Sequence, residues 1–348
     1  MSQIIRTLIV DDSAFVRKVV REMLSRSPYI DVVGTARDGD EALEMVEQLR
    51  PDVVTCDLEM PRRDGVMFVR EQMSRRPLPI LILTASAADG ERTLEAMDAG
   101  AVDFMQKPSA LANEEILVIR EELVEKVKAA ARVPTARLHQ ELPAVQAPLS
   151  FNQGAGEATR VDLVVLGIST GGPQALRYLL PQFPADFPVP IAMVLHMPVG
   201  YTRLFAEKLD ELSLLKVSEA EEGEPLVAGT ALLAPAGRHM SFRRMANGDV
   251  VTQLSTNPMG LPHRPAVDVL FQSASEVYGS RVLGVVMTGM GYDGRAGAGW
   301  IKSQGGTVLT EAEESCVIYG MPRSVVEAGL SDGAVTLGQM AQAILKRV

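Results

Sequence analysis

Leu8-Ile9-Val10-Asp11-Asp12-Ser13 is a short apolar run that stops at two carboxylates and a hydroxyl. A run of this length bounded by polar residues reads as a buried strand. Ser13 stands where a helix following that strand needs an acceptor for its first free N–H groups. The same pattern recurs downstream. Apolar runs at 31–36, 52–56, 80–83 and 101–105 alternate with helix-spaced patterns at 13–24, 40–49 and 91–99. Strands alternating with helices predict βα units and a parallel, doubly wound α/β sheet.

A charged helical pattern at 113–131 leads into a different texture. From 133 to 159 the chain holds Pro134, Pro143, Pro148, Gly154 and Gly156 with little periodicity, which predicts a linker. Apolar runs then resume at 162–168, 191–195, 231–234, 282–287 and 307–309. They predict a second doubly wound, mostly parallel α/β unit. Segments 224–230 and 250–254 predict an added antiparallel hairpin. The expected division is a first domain over 1–125, a linker over 126–159 and a second domain over 160–348.

Composition narrows the function. A hydrophobic fraction of 47% and a charged fraction of 22% are those of an ordinary globular protein. The formal net charge of -10 argues against nucleic acid or an anionic membrane as a nonspecific partner. Two cysteines, Cys56 and Cys316, are too few for a disulfide framework or a cysteine zinc site, and fit a reducing cytoplasm. No apolar run is long enough for a signal peptide or a membrane span, so no membrane insertion is expected.

Asp11, Asp12 and Asp57 all fall at strand ends. In a doubly wound sheet these ends open into one crevice. Carboxylates gathered there repel one another unless a cation joins them, and their hard oxygens suit Mg²⁺. Asp57 is then the candidate nucleophile toward phosphorus. Thr84 ends the fourth run and can donate to a phosphoryl oxygen, and Lys107 after the fifth supplies a positive charge. Phe104 is the neighbouring aromatic expected to repack with Thr84. One aspartate after a strand is more often a helix cap; the whole set at successive strand ends is far more specific.

Residues 1 to about 125 resemble a two-component receiver domain. The resemblance rests on Val10-Asp11-Asp12-Ser13, Cys56-Asp57-Leu58-Glu59-Met60-Pro61, Asp64-Gly65, Thr84-Ala85 and Lys107-Pro108. It implies a flavodoxin-like fold and phosphotransfer from a histidine kinase to Asp57. It also implies Mg²⁺ held by Asp11, Asp12, Asp57 and the carbonyl of Glu59.

In the second half, Gly167-Ile168-Ser169-Thr170-Gly171-Gly172-Pro173 follows a strand and opens a helix, the context of a nucleophile elbow. Such a turn also suits a phosphate cradle, but the dinucleotide fingerprint and the P-loop lysine are missing. A serine nucleophile needs a base. The chain has four histidines, His139, His196, His239 and His263; His139 lies in the linker, and His196 directly follows the 191–195 run. Asp293 lies in Thr288-Gly289-Met290-Gly291-Tyr292-Asp293-Gly294, past the 282–287 run. Ser169, His196 and Asp293 thus share one sheet edge if the strands are parallel, with Ser169 as nucleophile, His196 as base and Asp293 as its orienting anion. The backbone N–H groups of Met290 and Thr170 are candidate oxyanion donors. A packed histidine and a turn aspartate are the plainer alternatives for His196 and Asp293 taken singly.

Residues from about 160 to 348 resemble the catalytic domain of chemotaxis protein-glutamate methylesterases. The motifs are the 167–172 elbow, His196-Met197-Pro198, Ala234-Pro235-Ala236-Gly237 with His239, His263-Arg264-Pro265-Ala266-Val267-Asp268, and the 288–294 loop. The family implies hydrolysis of glutamate methyl esters on the cytoplasmic helices of chemoreceptors, releasing methanol, and deamidation of certain glutamines. Ala266, where Ser is more usual, and Gln106, where Thr is frequent, depart from the pattern. A receiver joined by a linker to an enzyme further predicts that the unphosphorylated receiver blocks the Ser169 edge and that phosphorylation releases it. Competing readings are a receiver-controlled DNA-binding regulator, an esterase for small metabolites and an inactive receptor scaffold.

Overall fold

The computed structural model describes residues 4–86, 89–107, 115–138 and 161–348. The chain divides into two compact units, Met1–Gln140 and Glu141–Val348. His139 and most of the expected linker lie outside the described residues.

The first unit alternates β1 (Ile5–Val10), α1 (Ala14–Leu24), β2 (Ile30–Ala36), α2 (Gly39–Leu49), β3 (Val53–Asp57) and α3 (Gly65–Arg75). It continues with β4 (Ile80–Thr84), α4 (Gly90–Asp98), β5 (Asp103–Gln106) and α5 (Glu115–Ala130). The strands are parallel in the order β2-β1-β3-β4-β5. Every residue of β3 and β4 is buried, so both pleat faces are covered, as a parallel sheet requires. Ser13 caps α1, its hydroxyl accepting the Val16 N–H at 3.4 Å. Helix α5 runs past residue 125, and a short α6 (Thr135–Leu138) follows. The start of the expected linker is therefore helical.

The second unit begins with β6 (Leu163–Ile168), α7 (Gly172–Leu179), β7 (Ile191–Leu195), α8 (Thr202–Leu212), β8 (Lys216–Glu219) and β9 (Thr230–Leu233). Next come β10 (His239–Arg244), β11 (Val250–Ser255), α9 (Val267–Tyr278), β12 (Val282–Val286) and α10 (Arg295–Ser303). The last elements are β13 (Thr307–Glu311), α11 (Met321–Glu327), β14 (Gly333–Val335) and α12 (Leu337–Leu345). Seven parallel strands run in the order β14-β13-β12-β6-β7-β9-β8. From central β6 the chain steps one way to β7 and later the other way to β12. The carboxyl end of β6 is thus a topological switch point, where open α/β sheets place their ligands.

The antiparallel hairpin differs from the expected one. Val250–Ser255 pairs with His239–Arg244, and segment 224–230 contributes only an isolated bridge from Pro225 to Val251. Strand β10 reads His-Met-Ser-Phe-Arg-Arg. Only its inward Met240 and Phe242 are large and apolar, so it carries no apolar run to find. The edge strands β8 and β14 are short and half-buried, each paired with a neighbouring strand on one side only.

Candidate functional sites

The first site sits where β1 and β3 end. Ligand oxygens of Asp11, Asp12 and Asp57 lie within 4.8 Å of one another. Lys107 enters from the end of β5, its ammonium 2.8 Å from Asp11 Oδ2 and 2.7 Å from Asp57 Oδ2. The Lys107 N–H donates to the Thr84 carbonyl at 2.8 Å, which fixes both residues at one sheet edge. Thr84 is fully buried, and its hydroxyl donates to the Ser86 carbonyl at 3.2 Å and to Asp89 Oδ2 at 3.3 Å. Phe104 is buried on β5, where the register pairs it with Ile82, two residues before Thr84.

Burial pushes the Asp57 carboxyl up to about 6 against the opposing pull of Lys107, and the nearby Asp11 charge adds to the rise. Burial also works against the Lys107 ammonium, but its bonds to Asp11 and Asp57 outweigh this and hold its pKa above the ordinary value. Three hard carboxylates against one ammonium leave an excess of negative charge. That donor set fits a hard divalent cation such as Mg²⁺. The Glu59 N–H donates to the Asp57 carboxylate, which brings the Glu59 backbone beside it.

The second site sits at the carboxyl end of β6. Ser169 follows the last strand residue and is 8% exposed. Its N–H donates to the Thr288 carbonyl at 2.9 Å, and its carbonyl accepts the Gly172 N–H at 2.7 Å, which closes the turn into α7. Gly171 makes this turn at a φ of +80°, and a Cβ there would lie 2.6 Å from Val317. Gly289 meets Ser169 from the neighbouring loop. A Cβ on Gly289 would lie 2.7 Å from Ser169 Cβ and 2.4 Å from Met321 Sδ, so only glycine admits the close approach.

His196 follows β7, and its N–H donates to the Ile168 carbonyl at 3.1 Å. The register between β6 and β7 pairs Ile168 with Leu195, so Ser169 and His196 leave adjacent strands at the same level. His196 Nε2 lies 2.8 Å from Asp293 Oδ2. Its Nδ1 is buried and has no partner among the described residues. The ring stacks on His263 at 4.0 Å between centroids and 18° between planes.

Asp293 is anchored on two sides. Its Oδ2 accepts the Val267 N–H at 2.7 Å and its Oδ1 accepts the Asp268 N–H at 2.9 Å, at the start of α9. Burial opposes its charge, but the bond to His196 and these N–H donors prevail, and its pKa falls below the ordinary carboxylate value. Asp268 returns the arrangement. Its Oδ1 accepts the N–H groups of Gly294 at 2.9 Å and Gly297 at 2.7 Å, at the start of α10. Burial in the first place, with Asp293 nearby, raises the Asp268 pKa.

All the proposed triad residues thus stand at one edge, and further positioning groups emerge beside them. Thr288 donates its hydroxyl to the Thr170 carbonyl at 2.9 Å and its N–H to Glu311 Oε2 at 2.9 Å. His239 clamps the 258–266 loop, its Nε2 3.2 Å from the Pro258 carbonyl and its Nδ1 accepting the Ala266 N–H at 3.2 Å. Burial in particular lowers its pKa, which suits this neutral, structural role. The Met290 N–H has no hydrogen-bond partner among the described residues. Asp268 and His239 both stand in the motifs quoted above, which is where their importance could be read; Glu311 carries no such signal.

Comparison with known proteins covers both units. The family model described as CheB methylesterase matches residues 164–344, and the response regulator receiver domain model matches residues 7–118. The chain is 45% identical over 355 residues to the protein-glutamate methylesterase/protein-glutamine glutaminase of Symbiobacterium thermophilum, covering 99% of this chain and 97% of the relative. It is 46% identical over 345 residues to protein-glutamate methylesterase/protein-glutamine glutaminase 5 of Myxococcus xanthus, covering 99% and 97%. The crystal structure of the Thermotoga maritima CheB methylesterase catalytic domain matches with a TM-score of 0.53 and 40% identity, covering 54% of this chain and 99% of that one. The chain belongs to the CheB methylesterase family and carries a response regulator receiver domain ahead of the catalytic domain.

Proposed function

We propose that this chain is a phosphorylation-activated serine hydrolase that demethylates glutamate methyl esters, and deamidates some glutamines, on the cytoplasmic helices of chemoreceptors. The observation that carries the proposal is the 2.8 Å contact between His196 Nε2 and Asp293 Oδ2, beside Ser169 on the adjacent strand end. Ser169 Oγ attacks the ester carbonyl, and His196 takes its proton through Nδ1, the nitrogen turned from Asp293. Asp293 stabilises the imidazolium that forms. The N–H groups of Met290 and Thr170 donate to the developing oxyanion. His196 then protonates the leaving methoxide to methanol, or the leaving amide nitrogen to ammonia. Water hydrolyses the acyl-serine by the same steps in reverse and leaves a glutamate carboxylate.

Asp57 is the proposed phosphoacceptor, with a histidine kinase as phosphodonor. Mg²⁺, bound by Asp11, Asp12, Asp57 and the Glu59 carbonyl, would neutralise the incoming phosphoryl oxygens. Lys107 pairs with the phosphoryl group, and Thr84 donates to it after leaving its bonds to Ser86 and Asp89. The proposed domains are 1–125 and 160–348, with 126–159 between them. The proposed location is the cytoplasm; among the described residues no helix is long and apolar enough to cross a membrane. The seven-stranded sheet of the second unit speaks against the DNA-binding alternative, which needs a compact helix-turn-helix.

The test is mass spectrometry of methylated receptor peptides after exposure to the wild type and to Ser169→Ala. The proposal expects loss of the ester methyl group with the wild type alone. Demethylation by Ser169→Ala would refute it.

A further inference from the structure

Four loops stand around His196: 196–201, 235–238, 256–266 and 288–294. Hydrogen bonds join them. The Gly237 N–H donates to the Arg264 carbonyl at 2.9 Å, the Pro258 carbonyl meets His239 next to Arg238, and Asp293 meets His196. Asp293 is the only carboxylate in these loops, and it is committed to His196 and to the first turn of α9.

Three arginines, Arg238, Arg264 and Arg295, lie in or directly after the same loops. None has an ion-pair partner among the described residues. Elsewhere in this unit Arg203, Arg281 and Arg323 pair with Glu207, Asp162 and Glu327, and Arg244 and Arg347 answer backbone carbonyls; what sets Arg238, Arg264 and Arg295 apart is their place in loops joined around His196. Arg264 is half-buried and its Nε reaches no acceptor. Arg295 lies 5.3 Å over the Tyr292 ring. In a chain of net charge -10, a cluster of unanswered guanidinium groups at one place is informative.

The apolar surface points to the same loops. Met259 at 74%, Val199 at 62% and Tyr292 at 60% are the most exposed large apolar side chains described, and all belong to these loops. Scattered singly they would need no account; gathered around a reactive centre they mark a contact surface.

We propose that this rim docks the substrate and selects protein segments that carry carboxylates beside the ester or amide. This deepens the reading of Ser169 as an esterase nucleophile and rests on it. The group to be hydrolysed is itself neutral, so charge cannot select it directly. Flanking carboxylates can, through the planar fork of each guanidinium. Met259, Val199 and Tyr292 cover the apolar stems of the docked segment. Rim charges of this kind act on encounter and apparent affinity and are screened by salt.

The test uses the full-length protein with acetyl phosphate and Mg²⁺ present. Two synthetic peptides each carry one glutamate γ-methyl ester, flanked in one by glutamates and in the other by serines. The expected result is a kcat/KM roughly tenfold higher for the acid-flanked peptide at low salt, closing toward equality near 0.5 M salt. The Arg238→Gln/Arg295→Gln double variant should lose this preference, and Arg264→Lys, which keeps its charge, should retain it; thermal melts verify that each is folded. Equal kcat/KM for the two peptides with the wild type, or a preference that survives the double variant, overturns the docking proposal and leaves the role of Ser169 standing. Hydrolysis of neither peptide overturns both. Vesicles containing phosphatidylserine form a further arm. If they inhibit the wild type while the flanking residues make no difference, the rim faces a membrane and the proposal falls.

Discussion

Asp268 and Asp293 hold each other's helices. Asp293 accepts the Asp268 N–H at 2.9 Å at the start of α9, and Asp268 accepts the Gly294 N–H at 2.9 Å at the start of α10. The carboxylate that faces His196 is therefore fixed by the partner it fixes. Asp268→Ala frees the Gly297 N–H and leaves the Gly294 N–H only its 3.0 Å bond to Asp293 Oδ1. It should cost about 1–2 kcal/mol of stability, as for a lost helix cap, and lower kcat by roughly 10–100-fold through misplacement of Asp293. Asp268→Asn keeps a carbonyl oxygen for both donors and should lose less than about tenfold in kcat. Steady-state kinetics beside thermal melts separate the two effects.

Asp293→Asn tests the charge itself. The amide keeps one oxygen, which can still accept the Asp268 N–H, but its NH2 takes the place of the oxygen that accepts the Val267 N–H, so about 1–2 kcal/mol of stability should be lost as well. The imidazolium formed when His196 takes the Ser169 proton loses its counter-ion. kcat should fall by about 10³–10⁴-fold with a small change in KM. A loss confined to KM would argue against the proposed role.

Much of this was legible because chemistry-bearing residues sit directly after apolar runs. Asp57 ends β3, Ser169 follows β6 and His196 follows β7. A parallel sheet brings such residues to one edge by topology alone. What could not be read depends on packing between distant segments. The mutual capping of Asp268 and Asp293 exists because α9 and α10 start side by side. Glu311 is an ordinary strand residue until its carboxylate meets the Thr288 N–H. The partner of β11 was missed because β10 ends in Arg243-Arg244 and presents no continuous apolar stretch.

Gly289→Ala places a methyl group where Ser169 Cβ and Met321 Sδ already stand. One of them must move. Overpacking of this kind costs about 1–3 kcal/mol, and a displaced nucleophile costs roughly 100-fold in kcat. Kinetics at a temperature where the variant is fully folded check this; near-normal kcat would show that Ser169 tolerates the shift.

The raised pKa of Asp57 has a sign that stability measurements can read. A carboxyl whose folded-state pKa lies above its unfolded value contributes stability at low pH and loses it as pH rises through about 6. In the absence of divalent cations, Asp57→Asn should therefore be more stable than the wild type at neutral pH, by about 2 kcal/mol. The gap should vanish below about pH 4. Mg²⁺ should raise the melting temperature of the wild type and have little effect on the variant. Receiver-domain melts across pH, with and without Mg²⁺, measure all of these.

The most direct measurement of the whole account is methanol release from a methylated receptor cytoplasmic fragment. The wild type, Asp57→Asn, Ser169→Ala and residues 160–348 alone are compared with and without acetyl phosphate and Mg²⁺. The account predicts that the phosphodonor accelerates the wild type and leaves Asp57→Asn slow, that Ser169→Ala releases none, and that the isolated domain outpaces the unphosphorylated whole. Methanol release by Ser169→Ala, or equal acceleration of Asp57→Asn and the wild type, would contradict it.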